Sequence, residues 1–127
     1  MILDDKCIRR LTKKDVSYAP YNEKTGNYPY GYFIDGKLVG KIRVTYTKGD
    51  NFYGLSWFYV NKADRGNGIG KKLLDFVIHK YNDKKLLLNV DIHNDQAVTL
   101  YQRYGFKIVF TNHKPKKGNA FYVMERK

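Results

Sequence analysis

A glycine-rich stretch just past the middle of the chain carries the clearest chemical signal. It reads RGNGIG over residues 65–70, and an amphipathic run follows it directly. Glycine has no Cβ atom to keep a ligand away from the backbone, and the N-terminus of a helix attracts anions. The stretch therefore predicts a turn that binds phosphate groups through backbone N–H groups. The alternative is an ordinary tight turn between a strand and a helix.

Two common phosphate motifs do not fit this stretch. A P-loop has the pattern Gly-x4-Gly-Lys-Ser/Thr, whereas Arg65 and Lys72 occupy two of the required positions here. A dinucleotide-binding turn has the pattern G-x-G-x-x-G, whereas Gly66, Gly68 and Gly70 are separated by single residues. Both nucleotide-binding motifs are therefore excluded.

Hydrophobic periodicity places the turn between a strand and a helix. Residues 52–60 are apolar on both faces, which predicts a central strand that is covered on both sides. Residues 69–81 carry an apolar stripe with helical spacing. The stripe consists of Ile69, Leu73, Leu74, Val77, Ile78 and Tyr81.

The rest of the chain alternates short strands with few helices. Residues 12–15 have the spacing of a capping box, which predicts a short helix or turn, and glycine and proline predict a loop over residues 17–29. A second helix begins at Asn94 or Asp95 and stops at Gly105. The predicted strands are residues 7–11, 30–34, 37–47, 52–60, 86–91, 106–111 and 120–124. This order predicts an α+β fold, a mixed α/β sheet with few helices.

Length and composition restrict the possibilities further. The 127 residues predict one domain, and 24 Lys and Arg against 12 Asp and Glu give a net charge of +12. That charge favours nucleic acid, acidic proteins or a phosphate-bearing cofactor as partners, or it only keeps the surface soluble. Cys7 is the single cysteine, which fits a reducing compartment and a buried structural thiol. The sequence has no signal peptide and no apolar run of about 18 residues, so we expect a cytoplasmic protein without a membrane partner.

A second motif gives the glycine-rich stretch a specific context. Residues 65–70 fit the pattern Arg/Gln-x-x-Gly-x-Gly/Ala, and residues 94–106 fit Asn-x-x-Ala-x-x-Leu-Tyr-x-x-x-Gly-Phe. Together they resemble the two cofactor-binding motifs of the GNAT (general N-acetyltransferase) superfamily, and the resemblance is best over residues 37–111. It implies a GNAT-like, mostly antiparallel sheet of about six to seven strands, flanked by helices, whose central strands splay apart.

The same resemblance implies the activity and its cofactor. Members of the family move an acetyl group from acetyl-CoA to a primary amine, which attacks the thioester directly in a ternary complex. The pyrophosphate of CoA lies on the glycine-rich turn, and the pantetheine arm pairs with the edge of a splayed strand. The expected cofactor-binding residues are Phe58, Val60, Arg65, Gly66, Asn67, Gly68, Ile69, Gly70, Lys71, Asn94 and Tyr101. For Asn94 the alternative is a simple helix N-cap.

The expected catalytic residues are Tyr101 and Asp91. Tyr101 stands at the position of the family's general acid, which gives a proton to the leaving thiolate, and its alternative is a core aromatic. The family's usual base, a Glu in the central strand or at the position of Asn89, is missing. Asp91 shares a face with Asn89 and is expected to act through water, with a structural role as the alternative. His93, Glu23 and a water chain without a dedicated base are further candidates.

The sequence defines the acceptor least. The loop between the last two strands contains Lys114, Lys116 and Lys117, and such a basic rim would repel polyamines. It suits an acidic peptide, an anionic small molecule or an RNA-linked amine, unless the lysines only solvate the loop. A catalytically weak acyl-CoA-binding module and an RNA-associated protein are the rival functions. No metal site is expected, and the protein is expected to be a monomer or a homodimer.

Overall fold

Seven strands and two helices make up the part of the protein that the computed structural model describes, residues 7–12, 14–15 and 26–127. A short 3-10 helix, Lys62–Asp64, precedes the first α-helix. The strands are β1 (Ile8–Arg10), β2 (Asn27–Ile34), β3 (Lys37–Thr45), β4 (Tyr53–Val60), β5 (Leu86–Asp91), β6 (Lys107–Asn112) and β7 (Phe121–Arg126), and the helices are α1 (Ile69–Lys80) and α2 (Asp95–Arg103).

The strands form one mixed sheet in the order β1-β2-β3-β4-β5-β7-β6. Every neighbouring pair is antiparallel except β4 and β5, which are parallel because α1 crosses between them. The β2–β3 hairpin turns at Asp35 and Gly36, whose φ angles of 50° and 77° are both left-handed, as the tight turn that an Asp-Gly pair favours requires. The predicted α+β fold with a mostly antiparallel sheet is confirmed.

The two central strands separate soon after they meet. The β4–β5 ladder holds three pairs, from Tyr53 with Leu86 to Leu55 with Leu88. Beyond Leu55, β4 continues along β3, whereas β5 continues along β7. The predicted splay is therefore present, and it opens a gap in the middle of the sheet.

A β-bulge in β4 lies next to this gap. Arg43 pairs with Ser56 and Lys41 with Tyr59, so Trp57 and Phe58 together oppose one residue of β3. Trp57 has a φ angle of 56°, a left-handed conformation that is rare for a bulky residue. A bulge bends its own strand, and here it bends β4 where β4 leaves β5.

The core lies between the sheet and α1. The predicted apolar stripe of α1 is buried as expected, apart from the half-buried Tyr81, and each aliphatic side chain contributes about 1.5–3 kcal/mol by burial. A Cβ atom added to Gly40 of β3 would lie 3.1 Å from Ile69 and 3.2 Å from Leu73, so α1 packs almost onto the backbone of β3. Helix α2 lies beside α1, and Tyr104 at the end of α2 forms a side-chain hydrogen bond with Asp75 of α1.

The N-terminal predictions are partly wrong. The loop expected over residues 17–29 is wrong for residues 27–29, because β2 begins at Asn27 and pairs with both β1 and β3. Pro29 takes part through its carbonyl, which accepts a hydrogen bond of 2.9 Å from the N–H of Leu11. The capping-box contact is present, since the N–H of Thr12 donates to Asp15 at 2.7 Å. Residues 16–25, which include the rest of the expected loop, lie outside the described residues.

The prediction that β4 is a central strand covered on both sides is wrong in one respect. Its central place in the sheet is confirmed, but only Leu55 of this strand is buried, and Tyr59 is 48% exposed. The reason is the splay, because the outer half of β4 borders open clefts instead of a packed layer. In the described part of the chain no helix is long and apolar enough to span a membrane.

Candidate active site

The glycine-rich turn adopts a backbone that depends on glycine. It connects the 3-10 helix to α1, and Gly66 and Gly68 both have φ angles of 83°. Gly68 is the N-cap of α1 and has no side chain to cap the helix. A Cβ atom added to Gly66 would find no other atom within 4 Å, so the surface above this residue is open. The turn is thus accessible to a ligand along its backbone.

The first turn of α1 presents a positive site. The first backbone bond of the helix runs from the N–H of Lys72 to the carbonyl of Gly68, at 3.0 Å, and the N–H groups before it have no partner within the helix. This turn contains no acidic residue, and Lys71 adds a cation. Arg65 lies beside it, with its Nε donating to the carbonyl oxygen of Val60 at 2.8 Å. Dipole and side chains therefore favour an anion here.

A cleft of about 640 Å³ opens above this site, and we call it the large cleft. It contains most of the expected cofactor-binding residues, whereas Asn67 and Tyr101 lie outside its lining. Asn67 instead donates from its amide to the carbonyl oxygen of Asp64 at 3.3 Å and so stabilises the turn. The lining consists of Phe58, Tyr59, Val60, Asp64, Arg65, Gly66, Gly68, Ile69, Gly70, Lys71, Asn94, Gln96, Ala97 and Leu100.

A second space of about 240 Å³, the inner cavity, fills the gap between β4 and β5. It shares Phe58, Asn94 and Ala97 with the large cleft, so the two spaces are neighbours. The remaining lining is Ile42, Leu55, Ser56, Trp57, Leu74, Leu88, Asn89, Val90, Asp91 and Tyr101. Ala97 of α2 forms part of the wall between the two spaces, a role that a small apolar residue in a helix does not reveal in the sequence.

Tyr101 lies against the inner cavity from α2. It is 8% exposed, and its ring centroid lies 6.1 Å from that of Phe58 and 5.8 Å from that of Phe106. Burial raises the pKa of Tyr101 to about 12. Its hydroxyl group therefore keeps its proton at neutral pH and can donate it or a hydrogen bond. Tyr101 is therefore both a core aromatic and a lining residue of the inner cavity.

Asp91 ends β5 and is already engaged. Its Oδ1 accepts a hydrogen bond of 2.8 Å from the N–H of His93. That bond, followed by one from the side chain of Asn119, lowers the pKa of Asp91. The carboxylate is therefore ionised at neutral pH and fixes the loop before α2 and the loop between β6 and β7. Asn89, two residues earlier, is exposed.

The remaining candidates take different places. Asn94 caps α2, with its Oδ1 accepting from the N–H of Ala97 at 3.3 Å, and it also lines both spaces. Glu23 lies outside the described residues. Cys7 is half-buried and packs against the core. Within the residues that the structure covers, no cluster of three or more His, Cys, Asp or Glu could hold a metal ion.

Comparison with known proteins places this geometry in context. Residues 4–127 match the sequence model of the acetyltransferase (GNAT) domain. A probable spermine N(1)-acetyltransferase of Bacillus subtilis subsp. natto is 34% identical over an alignment 90 residues long, and the match covers 62% of this chain and 59% of that protein. The chain thus spans about three fifths of that relative's length.

Solved structures share the fold over nearly the whole chain. A ribosomal-protein-alanine N-acetyltransferase from Brucella melitensis superposes with a TM-score of 0.76 at 20% identity, covering 94% of this chain and 98% of that one. A GNAT family acetyltransferase from Elizabethkingia anophelis with acetyl-CoA bound superposes with a TM-score of 0.71 at 18% identity, covering 94% and 96%.

Proposed function

Because the chain belongs to the acetyltransferase (GNAT) family, we propose that it transfers an acetyl group from acetyl-CoA to a primary amine, which attacks directly in a ternary complex. One observation carries the proposal. The large cleft, with its anion site, and the inner cavity, with the protonated hydroxyl of Tyr101, share the wall formed by Phe58, Asn94 and Ala97. An acyl-CoA needs these two environments side by side.

The residues of the large cleft fit acetyl-CoA. Open N–H groups at the start of α1, without a carboxylate in the first turn, suit a pyrophosphate, and Arg65 and Lys71 add positive charge. Beyond Leu55, β4 has no backbone pairing with β5, so its groups up to Val60 can bind the amides of the pantetheine arm. Bound acetyl-CoA supplies an acetyl group activated as a thioester.

The residues of the inner cavity can take part in the proton transfers that the reaction needs. The acceptor amine must be neutral, because an ammonium group has no lone pair. Tyr101 holds its proton beside the shared wall and can stabilise a departing thiolate. The lowered pKa of Asp91 makes it a weak proton acceptor, which supports a role in holding the cavity wall while water removes the amine's proton.

Two rival functions have distinct consequences. The absence of the family's usual carboxylate suggests a catalytically weak acyl-CoA-binding module. Such a module would bind acetyl-CoA and release no thiol with any amine. The net charge of +12 suggests an RNA-associated function or an RNA-linked acceptor amine. Either would give tRNA binding that weakens steeply with salt.

The test combines calorimetry with a thiol-release assay. We expect acetyl-CoA to bind and amine-dependent release of CoA thiol, with acetylated product detected by mass spectrometry. A protein that binds acetyl-CoA without turnover on a broad amine panel would be the binding module. A protein that does not bind acetyl-CoA at all would contradict both.

A further inference from the structure

Arg43 projects from the face of β3 that is opposite to α1. Its neighbours Ile42 and Val44 are buried in the core, and strand alternation sends Arg43 the other way. There its Cζ lies 4.1 Å from the ring centroid of Trp57, and its Nε donates to the Oγ of Ser56 at 3.0 Å. The guanidinium is thus held on two sides by neighbouring residues of the bulged strand.

This guanidinium has binding capacity left over. Arginine carries five N–H donors, and the bond to Ser56 uses the one on Nε. The donors on Nη1 and Nη2 of Arg43 have no hydrogen-bond partner in the part of the chain that the structure describes, although the residue is half-buried. A fixed guanidinium with two free terminal groups matches the two oxygens of a carboxylate.

The position of Arg43 links it to the inner cavity. Both residues that hold it, Ser56 and Trp57, line that cavity together with Tyr101 and Asp91. Trp57 has a left-handed backbone at this position, and such local strain concentrates at functional sites. The Nζ of Lys41 lies 5.4 Å from the same ring and adds a second positive charge.

A basic loop is connected to the inner cavity through Asp91. The loop between β6 and β7 contains Lys114, Lys116 and Lys117, and the side chain of its Asn119 bonds the carboxylate of Asp91, which lines the cavity. Among the described residues that line the cavity, Asp91 is the one carboxylate, and it accepts hydrogen bonds from the N–H of His93 and from the side chain of Asn119. A polyamine would therefore meet Arg43, Lys41 and the lysines of this loop, while the described carboxylate of the cavity is already hydrogen-bonded.

We propose that Arg43, held by Trp57 and Ser56, binds a carboxylate of the acceptor, so that the acceptor is an amine that carries a carboxylate close by. The inference rests on the proposed acetyl transfer and names the substrate class. It distinguishes this chain from the relative of Bacillus subtilis subsp. natto, whose name gives the polyamine spermine as its substrate.

The experiment compares four acceptors with wild type and variants. The acceptors are free glutamate, a tetrapeptide with Glu at its second and third positions, the same peptide with Gln there, and spermidine. We expect wild type to favour glutamate or the acidic peptide, and the better of the two shows whether the carboxylate belongs to a small molecule or to a peptide. Spermidine should be the poorest acceptor.

Arg43→Gln should raise the KM for the acidic acceptor about tenfold or more, since a charged hydrogen-bonding partner is lost. The KM for the Gln peptide and the affinity for acetyl-CoA should not change. Arg43→Lys should recover part of the loss because lysine keeps the positive charge but lacks the planar pair of N–H donors that binds both carboxylate oxygens. Lys48→Gln, in the exposed turn before β4, is the matched control for lost charge.

Three results would overturn the inference. Spermidine could outperform the acidic acceptors, Arg43→Gln could weaken all acceptors equally, or its KM for the acidic acceptor could stay unchanged. In each case acetyl transfer itself would stand. If neither these four acceptors nor the broad amine panel releases thiol although acetyl-CoA binds, the proposed function fails and this inference fails with it.

Discussion

The ring of Tyr101 in α2 lies 6.1 Å from the ring of Phe58 in β4, beside the gap where β4 leaves β5. Phe58 is one of the three residues shared by the large cleft and the inner cavity. The contact therefore holds the ring of Tyr101 beside a residue that borders both spaces. It also explains the raised pKa, because the aromatic neighbours keep water away.

Tyr101→Phe removes the hydroxyl and keeps the ring contacts. If Tyr101 donates its proton or a hydrogen bond to the leaving thiolate, the variant should lose about 10²-fold in kcat with little change in acetyl-CoA affinity. Thiol release and calorimetry measure the two quantities. Since the pKa is raised to about 12, wild type should show no loss of activity from this group until the pH approaches that value. An unchanged kcat would leave Tyr101 as a core aromatic.

Gly66→Ala tests whether the glycine-rich turn binds the cofactor. Its φ angle of 83° makes any Cβ atom strained, at roughly 1–2 kcal/mol of stability, and the same Cβ points into open space where a ligand would lie. We expect acetyl-CoA affinity to fall about tenfold, the equivalent of one lost hydrogen bond.

The matched control for this change is Gly49→Ala. Gly49 has a φ angle of 96° and equally open surroundings, but it lies in the turn before β4. Thermal melts should show similar destabilisation in both variants, while only Gly66→Ala binds acetyl-CoA more weakly. Equal affinities would remove the turn from the cofactor site.

Asp91→Asn tests the role of the carboxylate. An amide oxygen can still accept from the N–H of His93, so the loop should hold and kcat should fall by less than about tenfold, whereas loss of a general base costs about 10²–10⁴-fold. Because the pKa of Asp91 is lowered, its titration lies below that of an ordinary Asp, and the pH–rate profile near neutrality should be the same in both proteins. A loss of 10²-fold with intact acetyl-CoA binding would identify Asp91 as the base.

A tyrosine pair at the C-terminal end of α1 predicts a stability effect. The hydroxyl groups of Tyr30 and Tyr81 lie 2.8 Å apart, and burial, followed by this bond, raises the pKa of Tyr81. A double-mutant cycle with Tyr30→Phe and Tyr81→Phe, measured by denaturant unfolding, should give a coupling of about 0.5–1.5 kcal/mol. Tyr28→Phe is the control, since Tyr28 packs 6.5 Å from Tyr81 without bonding it.

The same pair sets a pH dependence at alkaline pH. The raised pKa means that the folded protein favours the neutral form of Tyr81 more than the unfolded chain does, so its contribution is complete below about pH 10 and declines as the pH rises above that value. Tyr81→Phe should flatten this decline. A wild-type stability that stays level from pH 9 to pH 11 would contradict the assignment.

Local patterns were sufficient for the elements and for the cofactor turn. The stripe from Ile69 to Ile78 is buried because helical spacing alone puts these side chains on one face. The strand Leu86–Asp91, the Asp-Gly hairpin and the glycines before α1 follow from backbone preferences that each residue carries wherever it stands. The two spaced motifs added the family, and with it the splayed sheet.

Tertiary structure decided what depends on partners far away in the sequence. The β4–β5 ladder ends at Leu55 because β3 and β7 pull the two strands apart, so the apolar outer half of β4 borders a cleft. Asp91 is engaged because the loop with Asn119 returns to it, and Arg43 is fixed because the bulge at Trp57 brings that ring over it. None of these pairings has a local signature, since pairing register and side-chain contacts between distant segments are set by how the whole sheet folds.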